Sequence, residues 1–294
     1  MGVTRGLSTA TKIGLARWLG RAVRAARFVA GRRNPEVECR RHGIRWSLDL
    51  REGVQLALYL GLYERTTERR LAEFARPGVT VVDVGANIGA HTLPLARAVG
   101  RSGRVIAVEP TAAAFERLCR NRDLNPDLAP RVVAVHAALG APDGSLRPSY
   151  YSAWPLEGAG ATHPVHLGAE RATANARFST LDDLVASLGV ERVDLVKIDV
   201  DGSELEVLDG ARRMVRRDHP TVVFELCPYL LTEAGRSAGD LVTFFTSQGY
   251  ELFDERTLRP VGRDVARILG DLPPLGGRNL IARFPVAVPP GAAA

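Results

Sequence analysis

At 294 residues, with 46% hydrophobic and 24% charged residues, the chain has room for one sizeable α/β domain plus an extension. That composition excludes wholesale disorder, and the length excludes two full-sized independent enzyme domains. The net charge of +6 rests almost wholly on arginine, since Lys12 and Lys197 are the only lysines, and much of the excess sits in residues 1–33, which contain no acid. The rest of the chain is close to balanced, so no nucleic-acid partner is expected.

No apolar run approaches the roughly 18 residues of a membrane span. Cys39, Cys119 and Cys227 are far apart and lack any C-x-x-C spacing, which argues against a disulfide framework or a zinc site and fits a reducing cytoplasm. From Lys12 to Arg33, Leu15, Leu19, Val23 and Ala26 recur at helical spacing with Arg17, Arg21 and Arg24 on another face. A cationic amphipathic helix is predicted, either capping the main domain or making a peripheral membrane or partner contact through residues 12–33. It lacks the long apolar core and small-residue cleavage site of a secretory signal. Val37 to Cys39 and Ile44 to Leu50 flank Arg41-His42-Gly43, and the second run alternates Ile44, Trp46, Leu48 and Leu50, which predicts a hairpin. Helical segments at about Val54 to Leu60 and Thr66 to Ala75 follow, and Pro77-Gly78 breaks the chain.

From Val79 the pattern alternates strand and helix, which predicts an α/β fold with a doubly wound, mostly parallel seven-stranded sheet. The predicted strands are Val79 to Val84, Arg104 to Val108, Val132 to Ala137, Val193 to Ile198, Thr221 to Glu225, Tyr250 to Phe253 and Leu280 to Phe284. The helices are about Ile88 to Val99, Ala112 to Leu124, Thr180 to Leu188, Glu204 to Arg216 and Ala238 to Gln248. Only loop-like sequence separates the last two strands, so they read as an antiparallel pair closing the sheet. The organisation read from these elements is a helical extension over 1–34, a hairpin and helices capping the site over 35–76, a main domain over 77–287 with an insertion at 141–177, and a tail over 288–294. An insertion of that length, rich in Gly, Pro and Ala, is usually functional.

Val81-Val82-Asp83-Val84-Gly85-Ala86-Asn87-Ile88-Gly89 is a buried strand running into a glycine-bearing turn and a helix. Small residues there let backbone approach a ligand, and a helix start offers free amides. Alone, the stretch indicates a nucleotide-like ligand or a structural turn. Its spacing is not G-x-G-x-x-G, which disfavours a dinucleotide loop and an NAD-dependent oxidoreductase. Glu109 closes the next strand, before Pro110, at the spacing where such folds bind ribose hydroxyls. A third acidic block, Asp199-Val200-Asp201-Gly202-Ser203-Glu204, ends the next confident strand. Asp83, Glu109 and Asp199 should converge on one crevice at the carboxyl edge of the sheet, although Asp201 and Glu204 also suit a helix's first turn.

The ordered blocks Tyr63-Glu64-Arg65-Thr66-Thr67, Pro77-Gly78, Val82 to Gly89, Ala107-Val108-Glu109-Pro110 and Asp194 to Ala211 resemble those of the FkbM-type methyltransferases dependent on S-adenosylmethionine (SAM). The resemblance runs from about Gly61 to Leu226. It implies a Rossmann-like class I methyltransferase fold, SAM as cofactor and commonly O-methylation of sugars, polyketides or other secondary metabolites. By that resemblance Asp83, Gly85, Ala86, Asn87 and Gly89 surround the methionine part; Glu64, which precedes a helical segment, either closes over the cofactor or is a simple helix-start acid. Glu109 and Pro110 lie at the ribose, and Ala137 and Ala138 lie near adenine. The family's block usually carries glutamate where the shorter Asp201 stands.

Methyl transfer is an in-line displacement, so positioning dominates and a nearby base takes the acceptor proton. Asp199, Glu204 and His91 are the candidate catalytic residues, in that order, with His163 and His166 in the insertion within reach of an acceptor. Asp199, Asp201 and Glu225 could offer oxygen to Mg²⁺, but no spacing demands a metal and none is assigned. Other readings are N-methylation of a peptide or small molecule, and a non-catalytic binding module on the same fold.

Overall fold

The computed structural model describes residues 9–285 except 153, 158–161, 164–167, 271 and 273–274. His166 and the expected tail lie outside the described residues. The first elements are α1 (Thr9–Val29), β1 (Glu36–Arg41), β2 (Ile44–Asp49), α2 (Gly53–Tyr59) and α3 (Arg65–Phe74). The β1–β2 hairpin turns at His42 and Gly43, whose φ of 48° and 78° are the paired left-handed values of a tight two-residue turn. Ile44, Trp46, Leu48 and Leu50 are all buried, as the alternation requires. Only part of the predicted pattern packs α1: Ala16, Gly20 and Val23 face the domain, whereas Leu15 is 47% exposed.

Then come β3 (Thr80–Val84), α4 (Thr92–Ala98), β4 (Arg104–Glu109), α5 (Ala112–Asp123) and β5 (Val132–Leu139). The insertion carries β6 (Ser149–Ser152) and β7 (Ala169–Ala172), and its end leads into β8 (Arg177–Ser179). The remainder is α6 (Leu181–Ser187), β9 (Leu195–Ile198), α7 (Glu204–Asp209), α8 (Arg212–Asp218), β10 (Thr221–Leu226), α9 (Pro228–Glu233), α10 (Ala238–Thr246), β11 (Glu251–Asp254), α11 (Val265–Leu269) and β12 (Arg278–Arg283).

The main sheet has the order β11-β12-β10-β9-β3-β4-β5-β8. All seven expected strands are present, and β12 runs antiparallel to both β10 and β11. The eighth member, β8, pairs in parallel with β5 through three residue pairs. Strand order reverses across β3, between β4 and β9, which opens a crevice at the carboxyl ends of these strands. Alternate residues serve opposite faces. Val82, Val84, Ile106, Val196 and Phe224 pack under α6, α7, α8 and α10, whereas Val81, Val105, Leu195 and Val223 pack under β2, α3, α4 and α5.

Two helix expectations are corrected. The helix expected from Ile88 starts at Thr92, because Gly85, Asn87 and Gly89 take φ of 77°, 48° and 89° and keep the chain in a turn. The helix expected over Glu204 to Arg216 is two short helices broken at Gly210. There the Gly140 carbonyl presses so close that an added Cβ would stand 2.1 Å from it. Among the described residues no helix is long and apolar enough to cross a membrane.

Candidate active site

Parallel register puts the chemistry on one face. Asp83 of β3 lies opposite Ala107 of β4 and Lys197 of β9, and Lys197 lies opposite Val223 of β10. Two residues further on, past or at the strand ends, come Gly85, Glu109, Asp199 and Glu225, all on the face that carries Asp83. They border a cavity of about 750 Å³. Glu64, Gly85, Ala86, Asn87, His91, Glu109, Pro110, Ala137, Ala138 and Asp199 line it, so ten of the thirteen sequence candidates come together.

Asp83, Gly89 and Glu204 do not line the cavity. Asp83 is fully buried behind its wall, accepting from the Thr92 hydroxyl at 2.7 Å and standing 3.4 Å from the Lys197 ammonium. Gly89 faces Leu118, where an added Cβ would stand 2.8 Å away. Glu204 is turned back into its own loop, its Oε1 accepting from the amides of Val200 at 3.2 Å and Gly202 at 3.3 Å. Burial pushes its carboxyl up to about 7 against those hydrogen bonds.

The turn after β3 is tightly determined. The amides of Gly85 and Ala86 both donate to Val108 O at 3.0 Å, and a Cβ on Gly85 would stand 1.9 Å from the Asp199 carbonyl. The Asn87 amide donates to Glu109 Oε2 at 2.8 Å, while Glu109 Oε1 accepts from the amide and hydroxyl of Thr111. Burial raises the Glu109 carboxyl despite these donors. Four described cavity residues other than glycine, Glu64, Asn87, Asp201 and Leu275, hold φ between 26° and 61°. Strain of this kind persists where the surrounding structure dictates it.

Lys197 is the organising cation. It is 5% exposed, donates to Gly85 O at 3.3 Å and pairs with Asp199 at 3.2 Å as well as with Asp83. Burial favours its neutral form, but Asp199, Asp83 and Glu64 outweigh that and raise its pKa above the ordinary value. His91 caps the start of α4, its Nε2 2.8 Å from Glu64 Oε2 and its ring 5.4 Å from that of Tyr63.

Sequence reasoning passed over Lys197 and gave Glu225 only a doubtful role. A lysine inside a strand of an arginine-rich chain was a usable signal, and Glu225 ends the strand next to that of Asp199. The Glu225 side chain has no hydrogen bond or ion pair among the described residues, and its Oε1 sits where a Cβ on Gly277 would come within 2.6 Å. Burial, followed by the charges of Asp199, Glu204 and Asp201, holds its carboxyl well above the usual range. Asp201, which also lines the cavity, is raised well above its usual value by burial and then by Asp199 and Glu204. Tyr150, Tyr151 and Trp154 bring insertion residues into the wall, and His163 reaches it while paired with Glu233 at 3.3 Å. No three His, Cys, Asp or Glu side chains among the described residues converge in a way that could hold a metal ion.

Residues 83–252 match the model of the methyltransferase FkbM domain. The chain is 30% identical over 194 residues to Methyltransferase 1 of Beauveria bassiana, covering 60% of this chain and 74% of that one. It is 34% identical over 149 residues to the hexuronic acid methyltransferase AglP of Haloferax volcanii, covering 50% of this chain and 56% of that relative, little more than half its length. The crystal structure of methyltransferase FkbM from Methylobacillus flagellatus KT aligns with a TM-score of 0.42 at 18% identity, over 70% of this chain and 43% of that one.

Proposed function

We propose that this chain, which belongs to the FkbM methyltransferase family, methylates a hydroxyl oxygen on a small polar acceptor. Its cofactor is SAM. When bound, SAM supplies an electrophilic methyl group on a sulfonium. The donor set suits that group: a volume of about 750 Å³ lies within the range of small-molecule sites, and its wall changes chemistry across the sheet. On the β4–β5 side, Ala137 and Ala138 offer apolar surface for adenine, and Glu109 with Pro110 faces the ribose. At the centre, Gly85, Ala86 and Asn87 with Glu64 and Asp199 surround the methionine part. Asp83 and Gly89 act from behind the wall, Asp83 by holding Lys197 in place.

The observation that carries the reading is the position of Glu225, one strand beyond Asp199 on the side away from Glu109, with no cation paired to it among the described residues. Asp199 is paired with Lys197, which it shares with Asp83, Glu204 faces its own loop and His91 is engaged by Glu64. Glu225 and Asp201 are thus the cavity acids whose side chains have neither a hydrogen bond nor an ion pair among the described residues, and Glu225, at the end of β10, is the one assigned to take an acceptor proton, with Asp199 setting the field around the sulfonium. In-line displacement then needs the acceptor oxygen held against the methyl group, a task for the aromatic wall of Tyr150, Tyr151 and Trp154.

The relative named for hexuronic acid supports a sugar-like polyol as acceptor; polyketides and other secondary metabolites fit the same reading. A reducing cytoplasm is the compartment proposed for it, a reading that the three free cysteines support. The excess of acids also suits an amine, which keeps N-methylation as the second reading. Incubation with trideuteromethyl SAM and a panel of methyl glycosides, hydroxylated polyketides and peptides, followed by fragmentation in the mass spectrometer, separates the two. Label on a hydroxyl oxygen is expected; label on nitrogen overturns the proposal.

A further inference from the structure

We propose that α1 docks the protein on an anionic lipid surface. One face of α1 is committed to the domain: Ala16 and Val23 join Val37, Leu50, Leu56 and Leu156, and Gly20 lets the helix approach closely, since an added Cβ would stand 3.1 Å from Leu156 and 3.3 Å from Leu56. Arg24 is anchored there too, donating to Leu50 O at 2.9 Å and pairing with Glu157.

The other side of the helix has no such cover. Leu15, Trp18, Ala22, Ala25 and Val29 follow one another at intervals of three and four residues, which draws a single stripe along the helix. All five are exposed, Trp18 at 65% and Val29 at 87%. Of the ten large apolar side chains exposed among the described residues, four belong to α1: Leu15, Trp18, Phe28 and Val29. Exposed Arg17 and Arg21 flank the stripe, Arg32 and Arg33 follow it, and no acid occurs before Glu36.

That charge pattern selects the occupant. A stripe of this spacing could pair with a second copy, but helix pairs of that kind are registered by opposite charges at the flanks. Here arginine would meet arginine. An anionic bilayer supplies what both parts need, an acyl boundary for Leu15, Trp18 and Val29 and phosphate for the arginines. With no helix able to cross a membrane among the described residues, α1 lies in the interface plane. Leu156 and Glu157, which α1 holds, follow Trp154 of the cavity wall, so the docked helix and that wall are close neighbours.

The test is flotation of the full chain with vesicles of phosphatidylcholine alone and of equal parts phosphatidylcholine and phosphatidylglycerol. Binding to the mixed vesicles alone is expected, falling as salt is raised. The pair Arg17→Gln and Arg21→Gln should weaken it by about 25-fold, at about fivefold per arginine. The pair Leu15→Ser and Trp18→Ser should abolish it. Thermal stabilisation by SAM serves as the folding control, because all four residues are exposed and outside the cavity.

Three results would overturn the proposal. One is failure to bind the mixed vesicles. Another is unchanged binding by the serine pair, the behaviour of a surface that reads charge alone, as for RNA. The third is a wild-type dimer that the serine pair dissociates, since the stripe would then be covered by a second copy.

Discussion

The Lys197 ammonium stands 3.2 Å from the Asp199 carboxylate, two residues along the same chain, and on its other side reaches the buried Asp83 at 3.4 Å. One cation thus joins a buried acid behind the cavity wall to an acid that lines the cavity. Lys197→Met leaves Asp83 uncompensated at zero exposure, for which a loss of about 3–5 kcal/mol is expected. Urea denaturation measures it. Adding Asp83→Asn should restore a substantial part, because the buried charge goes with its partner; equal losses in the single and double variants would contradict this assignment.

Gly85 is required by contact as well as by conformation. Gly85→Ala forces a Cβ to within 1.9 Å of the Asp199 carbonyl, whereas Gly100→Ala, at a similar φ of 66°, meets nothing nearer than Pro77 at 3.5 Å. The Gly100 variant should lose about 1 kcal/mol. The Gly85 variant should lose several times that and much of its affinity for SAM. Thermal melts with and without SAM compare them, and equal melting temperatures would contradict the close approach.

Glu204 gives the fold a pH dependence of defined sign. Its carboxyl is raised by burial from 4.5 to about 7, so the folded chain keeps a proton that the unfolded chain has released across that window. Stability from this group is therefore complete below about pH 4.5 and lost as pH rises through about 7, a change on the order of 3 kcal/mol. Glu204→Gln should flatten the decline, since its side-chain oxygen can still accept from Val200 and Gly202. Melting temperatures at several pH values across the window decide it; parallel curves for the two proteins would count against the assignment.

The sheet was legible because its strands are short β-branched runs punctuated by Gly and Pro, and because three of them end in acids. Asp83, Glu109 and Asp199 could be placed at one edge from spacing alone. Which of them would touch a ligand was not legible, since that depends on register: Asp83 falls opposite Lys197 and is sealed, while Glu109, two pairs further along, reaches the cavity. Glu204 read as a site acid because spacing does not show a side chain folding back on its own loop. Tyr150, Tyr151 and Trp154 come from an insertion whose β6–β7 pairing leaves no periodic trace among its Gly, Pro and Ala residues.

The proposed division of labour in the cavity, cofactor toward Glu109 and acceptor toward Glu225, is tested most directly by Glu225→Gln, with the SAM dissociation constant and the methyl-transfer rate measured side by side across pH. An unchanged dissociation constant and a turnover slower by about 10²–10⁴-fold are expected. Because the base must be ionised and burial raises its pKa, wild-type turnover should climb with pH beyond the ordinary carboxylate range, and the variant should lose that climb. A dissociation constant that worsens while turnover and its pH profile stay as in the wild type would place Glu225 in the cofactor half and rule out its role as the base.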